Sequence, residues 1–288
     1  MPTCLEEEQT RGLFGHAPRD EARQKMSVAD DLVMDAVAIG AQMLYFKMKN
    51  NHRAKALQAV GSKHGLSFCQ KTKDYHGEIT RLDASEHMTD AQQDDRRLSK
   101  KAKLARRFFG DSQLQTRLWA FRSNRWRGAW QTNCNIMEGT WKNHLMTCFD
   151  TLFFDADENE GEYTSVFVHC KANVPRMIMT PAGLLSGLKR IDENQIWSHG
   201  YHKISFESGD FNKRYHVVAA DEKLAYAFIS QAMIDFLMDH KKEKWHIELA
   251  PGGILISTVC TLAPKYITGA MDFLAGFLDH VDQDLLEG

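Results

Sequence analysis

The stretch that decides the fold is residues 202–258, HKISFESGDFNKRYHVVAADEKLAYAFISQAMIDFLMDHKKEKWHIELAPGGILIST. At its start Ile204 and Phe206 alternate with polar neighbours, and the same two-residue period returns at 215–219 in YHVVA. Such alternation is typical of strands with one buried face. Residues 208–210, Ser-Gly-Asp, supply turn chemistry between the two runs. This part therefore predicts an antiparallel hairpin.

A helix is predicted directly after this hairpin, over 221–241. Asp221 has a side chain that can accept hydrogen bonds from the first free amides of that helix. Apolar residues then recur at helical spacing as Leu224, Ala225, Phe228, Ile229, Ala232, Met233, Phe236 and Leu237. Beyond the helix, apolar residues alternate at 245–249, a Pro-Gly-Gly turn occupies 251–253, and 254–259 is a second apolar strand.

Two further segments extend the pattern. Residues 129–180 contain strand-like runs on both sides of an acidic loop, and residues 265–285 carry a second apolar stripe at helical spacing. Amphipathic helices laid over antiparallel hairpins are a common way to bury one sheet face. The sequence therefore predicts an α+β fold, in which antiparallel β-hairpins are packed by the 221–241 and 265–285 helices, with an N-terminal helical arm.

A set of short motifs lies along residues 50–280. It comprises Arg53-Ala54, Leu57, His64-Gly65-Leu66-Ser67-Phe68, Ile136-Met137-Glu138-Gly139, Phe149-Asp150, Glu207-Ser208, Phe211-Asn212, Tyr215-His216-Val217, Asp221 and Ala225. These motifs resemble a bacterial protein family, most familiar from actinobacteria, in which one membrane-spanning helix precedes a soluble α+β domain. No activity is established for that family. The resemblance thus implies a fold and a place near a membrane rather than a reaction.

Bulk properties narrow the class of protein. The chain has 288 residues, of which 43% are hydrophobic and 26% charged, as expected of a globular protein. A net charge of −2 and a pI near 6.7 argue against a bulk nucleic-acid binder, although a local basic patch is compatible with them. Cysteines are scattered without close pairs, and we expect them to be reduced and mostly buried: Cys4, Cys69, Cys134, Cys148, Cys170 and Cys260.

The sequence predicts a flexible tail followed by a helical arm in the N-terminal part of the chain. Residues 1–26 are polar, lack periodicity and contain no apolar core of a secretory signal, which predicts a flexible tail. Residues 27–70 form the helical arm. Its apolar run at 36–46 is interrupted by Gln42 and is shorter than the roughly 20 residues that span a bilayer. Two alternatives stay open: a soluble or peripheral helix, or a short anchor at 32–46 that holds the rest of the chain in the cytoplasm.

A basic and aromatic stretch separates the arm from the α+β domain, which we assign to 111–288. Residues 71–110 are a polar linker followed by a basic helix, and 96–127 carry eleven cations against the single acid Asp111. Cations with interleaved aromatics can bind nucleic-acid phosphates and bases, or anionic lipid and a protein partner, or can form a solvated face. The predicted binding residues are Arg106, Arg107, Arg117, Trp119, Arg122, Arg125, Trp126 and Arg127.

Metal and cofactor sites are not predicted. The acidic loop Asp155–Gly161 has oxygen donors at alternate positions, but it lacks the turn glycine and closing acid of a calcium loop. His169 and Cys170 could meet His144 and Cys148 across a hairpin. Neighbours on a strand point to opposite faces, however, so both cannot bind one zinc ion. We expect no metal and no cofactor.

The polar turn that bears the family resemblance contains Glu207, Asn212 and Arg214, which we single out as the polar group most worth locating. No phosphate loop, dinucleotide fingerprint or nucleophile elbow occurs in the sequence. The sequence therefore favours a non-catalytic binding or scaffold protein near the cytoplasmic face of a membrane, with a protein or an anionic membrane surface as partner. The alternatives are an RNA-associated protein that binds through 96–130, and an enzyme whose site has no recognisable motif.

Overall fold

The computed structural model describes residues 41, 44–45, 48–71, 131–154, 160–170, 174, 176–182, 200–250, 252–258, 260–282 and 285. The chain divides into two units, 1–49 and 50–288. In the first unit, the described positions are helical. Within the described ranges, none of the helices combines the length and the apolar character that crossing a bilayer requires. Most of the predicted anchor at 32–46 lies outside them.

The second unit begins with a helix and continues mainly as strands. Within this unit, helix α1 covers 50–64. The strands are β1 (Ser67–Lys71), β2 (Gln131–Trp141), β3 (His144–Phe154), β4 (Glu160–His169), β5 (Met177–Pro181), β6 (His202–Ile204), β7 (Tyr215–Ala219), β8 (His246–Ala250) and β9 (Gly253–Ser257). The later helices are α2 (Gly209–Arg214), α3 (Glu222–Phe228), α4 (Gln231–Asp239) and α5 (Ile267–Asp279), with a 3-10 turn at Pro264–Tyr266 before α5.

All described strands form one open antiparallel sheet in the order β1-β2-β3-β4-β9-β8-β5-β7-β6. Strands β1 to β4 follow one another across the sheet, and β4 then pairs with β9, so that Ser165 lies opposite Ser257. The α+β prediction, with antiparallel hairpins and covering helices, is confirmed.

Two local predictions in the 202–258 stretch were wrong. The expected turn at 208–210 opens α2 instead, because the Ser208 hydroxyl accepts a hydrogen bond from the Phe211 amide at 3.3 Å and caps a helix. The expected single helix over 221–241 is two helices. Ser230 caps α4 in the same way through the Met233 amide, so the chain leaves the helical path between α3 and α4. The predicted cap at Asp221 is confirmed.

The main core lies between one face of the sheet and the helices. Phe228 of α3, Leu237 of α4, and Leu274 and Phe277 of α5 are buried there with the apolar residues of the strands. The predicted stripe of the closing helix is thus confirmed. Burial of these side chains stabilises the unit by roughly 1.5–3 kcal/mol for each large residue.

The opposite face of the sheet is also buried. Residues paired across antiparallel strands project from the same side, which places Ser165, Ser257 and His246 together on this face. Phe149 and Phe167, which project from it as well, are fully buried. Because both of their faces are covered, β5, β8 and β9 are buried at every position, as in the sheet interior of a layered protein.

Candidate functional site

The predicted binding residues in the basic and aromatic stretch, Arg106 to Arg127, lie outside the described residues, and their role stays a prediction. The same holds for residues 155–159 of the acidic loop. The sites described below therefore belong to the helical arm and to the α+β sheet.

The polar turn at 207–214 holds the backbone in place. The Asn212 side chain binds both polar backbone atoms of Phe206: its Oδ1 accepts from the amide at 2.9 Å and its Nδ2 donates to the carbonyl at 2.5 Å. Arg214 Nη2 donates to the Lys241 carbonyl, which joins α2 to the end of α4. Glu207 is exposed. Asn212 and Arg214 thus connect backbone segments of the turn and its neighbours.

The side chains considered for zinc are His144 and Cys148 of β3, His169 at the end of β4, and Cys170 after it. Among the described residues, no group of three or more potential ligands lies together. Burial raises the pKa of the Cys148 thiol above its usual range, and it raises the pKa of Cys170 to about 12. Both thiols therefore stay protonated at neutral pH, which is the unreactive form of the side chain.

A buried polar cluster lies beneath α1, and we call it the Arg53 cluster: Arg53, Asp150, Thr164, Asn135 and Asn50. The guanidinium of Arg53 binds Asp150 through two parallel hydrogen bonds, Nε to Oδ2 at 2.6 Å and Nη2 to Oδ1 at 2.8 Å. Asp150 also accepts from Thr164 Oγ1 and from Asn135 Nδ2, each at 2.8 Å. Asn135 Nδ2 further donates to Asn50 Oδ1 at 2.6 Å.

Local structure explains how these residues meet. Asn50 and Arg53 are three positions apart and so share one face of α1. Asp150 of β3 pairs directly with Thr164 of β4. Asn135 lies in a register shift of β2 and has a φ of 54°, a left-handed conformation that asparagine tolerates better than most residues. The bulge thereby turns the Asn135 amide toward Asp150.

Arg53 and Asp150 form an ion pair that is largely shielded from solvent. The side chains of Arg53 and Asp150 are only 12% and 6% exposed. Burial lowers the pKa of Arg53, but the hydrogen bonds and charge of Asp150 more than offset this, so the pKa is raised overall. Arg53 Nη1 also donates to the Leu262 carbonyl at 2.5 Å. The cluster therefore clamps α1, three strands and the 258–262 segment together.

A second buried polar group lies on the opposite face of the sheet. His246 Nδ1 lies 3.0 Å from Thr180 Oγ1, and its Nε2 lies 3.9 Å from Glu248 Oε2, which is too long for a hydrogen bond. Burial lowers the pKa of His246 to about 3. The imidazole is therefore neutral at pH 7.

The helical arm carries an exposed apolar surface. Leu44, Tyr45 and Met48 are 59%, 64% and 65% exposed, and Ala41 beside them is also exposed. Spacings of three and four place these residues on one side of a helix, and we call this set the apolar stripe. Only five large hydrophobic side chains are exposed in the described ranges, and three of them belong to this stripe. Large apolar side chains clustered at the surface are typical of an interaction site.

Sequence reasoning did not foresee the Arg53 cluster or the exposure of the stripe. Arg53 and Asp150 entered only through the family resemblance. One signal was present: Asp150 lies in the mostly apolar strand CFDTLFF, where a buried carboxylate needs a partner.

Comparison with known proteins gives little beyond the structure. No family model matches the chain, and no curated protein matches it. Among solved structures, the crystal structure of the mycobacterial trehalose monomycolate transport factor A, TtfA, aligns with 12% sequence identity and a TM-score of 0.45. That alignment covers 78% of this chain and 92% of that chain.

Proposed function

We propose that the protein is a non-catalytic binding or scaffold protein that works at the cytoplasmic face of a membrane. The observation that carries this proposal is the apolar stripe. Leu44, Tyr45 and Met48 are each helical and exposed to solvent. A helix of this kind lies in the bilayer interface with its apolar side chains at the boundary between headgroups and acyl chains.

The buried ionisable groups support the non-catalytic part of the proposal. Asp150 is bound by Arg53, Thr164 and Asn135, so its charge is used to hold secondary structure elements together. The neutral ring of His246 packs inside the sheet. These contacts hold the strands and α1 together, which suits a platform for a partner.

Vesicle flotation of the full chain tests the role of the stripe. Half-burial of a large apolar side chain is worth about 1 kcal/mol, so replacing Leu44, Tyr45 and Met48 together by serine should weaken membrane partition on the order of 100-fold. The matched control replaces the other two exposed large hydrophobics, Tyr226 and Tyr266, by serine. That control should partition like the wild type.

Equal flotation of the wild type and the triple serine variant would contradict the proposal. So would retention of the wild type by RNA in place of vesicles, lost on charge reversal of Arg106, Arg107, Arg122 and Arg125. That second result would favour the RNA-associated alternative.

A further inference from the structure

We propose that the solvent face of α1 binds anionic lipid headgroups, and that the membrane surface contacted by this protein is therefore anionic. This inference rests on the proposed function and adds the chemical class of its partner. The face consists of Asn51, His52, Lys55, Gln58, Ala59, Ser62 and Lys63, all of which are exposed, and we call it the lysine face.

The first step is the absence of acids from this part of the sequence. Residues 36–73 contain seven lysines and arginines and no aspartate or glutamate. Helix α1 lies entirely within this segment. No acid on the helix can therefore neutralise Lys55 or Lys63, so the helix itself carries a net positive charge.

The second step is a contrast with the other long helices of the same unit. Helix α4 carries Asp235 and Asp239, and α5 carries Asp272 and Asp279, while neither has a lysine or arginine. Both acidic helices pack on the same side of the sheet as α1, which carries lysines and an arginine but no acid. Among α1, α4 and α5, α1 alone is cationic, so its charge is the one that suits an anionic surface.

The third step is that the two sides of α1 have different contacts. Ala54 and Leu57 are buried, and Arg53 is turned inward to bind Asp150. Arg53 therefore has a structural role on the buried side of the helix. Lys55 and Lys63 lie on the exposed side, where the fold does not require them. These two lysines are eight positions apart, about 12 Å along the helix axis, so they can contact separate headgroups.

Anionic lipid is the occupant that this charge pattern fits best. The lysine face has cations but no large apolar side chain and no Phe, Tyr or Trp, and its one ring is the imidazole of His52. It therefore offers charge without a hydrophobic anchor. Headgroups at a membrane surface require only charge, and the apolar stripe supplies the hydrophobic contact separately. Single-stranded nucleic acid would call for stacking aromatics beside the cations.

The test compares two vesicle compositions, phosphatidylcholine alone and phosphatidylcholine mixed with phosphatidylserine. The full-length variant Lys55→Gln/Lys63→Gln removes two cations, and Lys223→Gln/Lys242→Gln is the matched control at exposed lysines elsewhere. A cation near an anionic surface is worth about fivefold in partition, so the first variant should bind mixed vesicles roughly 30-fold more weakly. Binding to phosphatidylcholine alone should not change.

The two proposals fail in distinguishable ways. The lysine face is not the headgroup contact if the wild type binds both vesicle types equally, or if the two lysine variants lose the same affinity. Neither result contradicts the proposal that the apolar stripe binds the membrane. Loss of RNA retention in Lys55→Gln/Lys63→Gln, without loss of vesicle binding, would assign the face to nucleic acid and overturn the inference. If the wild type binds neither vesicle type, both proposals fall.

Discussion

Replacing Arg53 by methionine should destabilise the α+β unit by about 3–5 kcal/mol, because it leaves a buried carboxylate without its ionic partner. Methionine keeps the apolar stem but removes both hydrogen bonds to Asp150 and the one to the Leu262 carbonyl. Asp150 would retain only the donors from Thr164 and Asn135. Since its side chain is 6% exposed, water cannot readily replace the guanidinium.

Urea denaturation at neutral pH, followed by tryptophan fluorescence, measures this loss as a change in the free energy of unfolding. Lys55→Met is the matched control, since it makes the same kind of substitution two positions along α1 at an exposed site. A surface change of this kind should stay within about 0.5 kcal/mol of the wild type.

A double-mutant cycle separates the ion pair from the loss of packing. Asp150→Asn in the Arg53→Met background removes the buried charge, so the double variant should be more stable than the sum of the two single losses predicts, by roughly 0.5–3 kcal/mol. A cost below about 1 kcal/mol for Arg53→Met, or strict additivity in the cycle, would show that the pair is solvated or uncoupled and would refute the reasoning.

Two further predictions concern the sheet. The pKa of His246 is about 3 in the folded chain and about 6.5 when unfolded, so the unfolded state takes up a proton first as pH falls. The free energy of unfolding should decrease by up to ~1.4 kcal/mol per pH unit as the pH falls below about 6.5. In His246→Gln the free energy of unfolding should lose this dependence on pH. If the wild type and His246→Gln show the same dependence, the ring is not buried in its neutral form. Gly253→Ala would place a Cβ 2.3 Å from the Val168 carbonyl oxygen. This substitution should lower the free energy of unfolding by about 1–3 kcal/mol or more. Gly209→Ala is the control, because no atom lies within 4 Å of its new Cβ, and it should not lower the free energy of unfolding. Equal thermal-melt midpoints for the two variants would contradict the prediction.

Local signals in the sequence predicted most of the second unit correctly. The strand-like runs on both sides of the acidic loop, TCFDTLFFDAD and EYTSVFVHCKA, predicted β3 and β4. The apolar residues at helical spacing after Pro264 predicted α5. Asp221 was identified as a helix cap, and its side chain accepts from the Leu224 amide at 2.9 Å. Each of these signals is carried by residues close together in the chain, so each can be read without knowing what lies across the sheet.

The prediction of a single helix over 221–241 failed for a local reason. The apolar residues that recur there at helical spacing hid that reason. Ser230 is a preferred cap residue, but apolar residues continue on both sides of it at nearly helical spacing. The cap ends one helix and starts another, which leaves Ala232 exposed and Phe236 half-buried. Periodicity alone cannot distinguish one bent stripe from two helices that meet at a cap.

The amino-acid sequence by itself determined most of the strands and the closing helix of the second unit, that the sheet is antiparallel, and that residues 36–73 carry no acid. Only the tertiary structure decided that β4 pairs with β9 and that Arg53 binds Asp150, residues 97 positions apart. The physical reason is that hydrophobic period and capping act over a few residues. Strand order and buried charge pairing instead depend on which arrangement of the whole sheet covers both faces and satisfies every buried polar group at once.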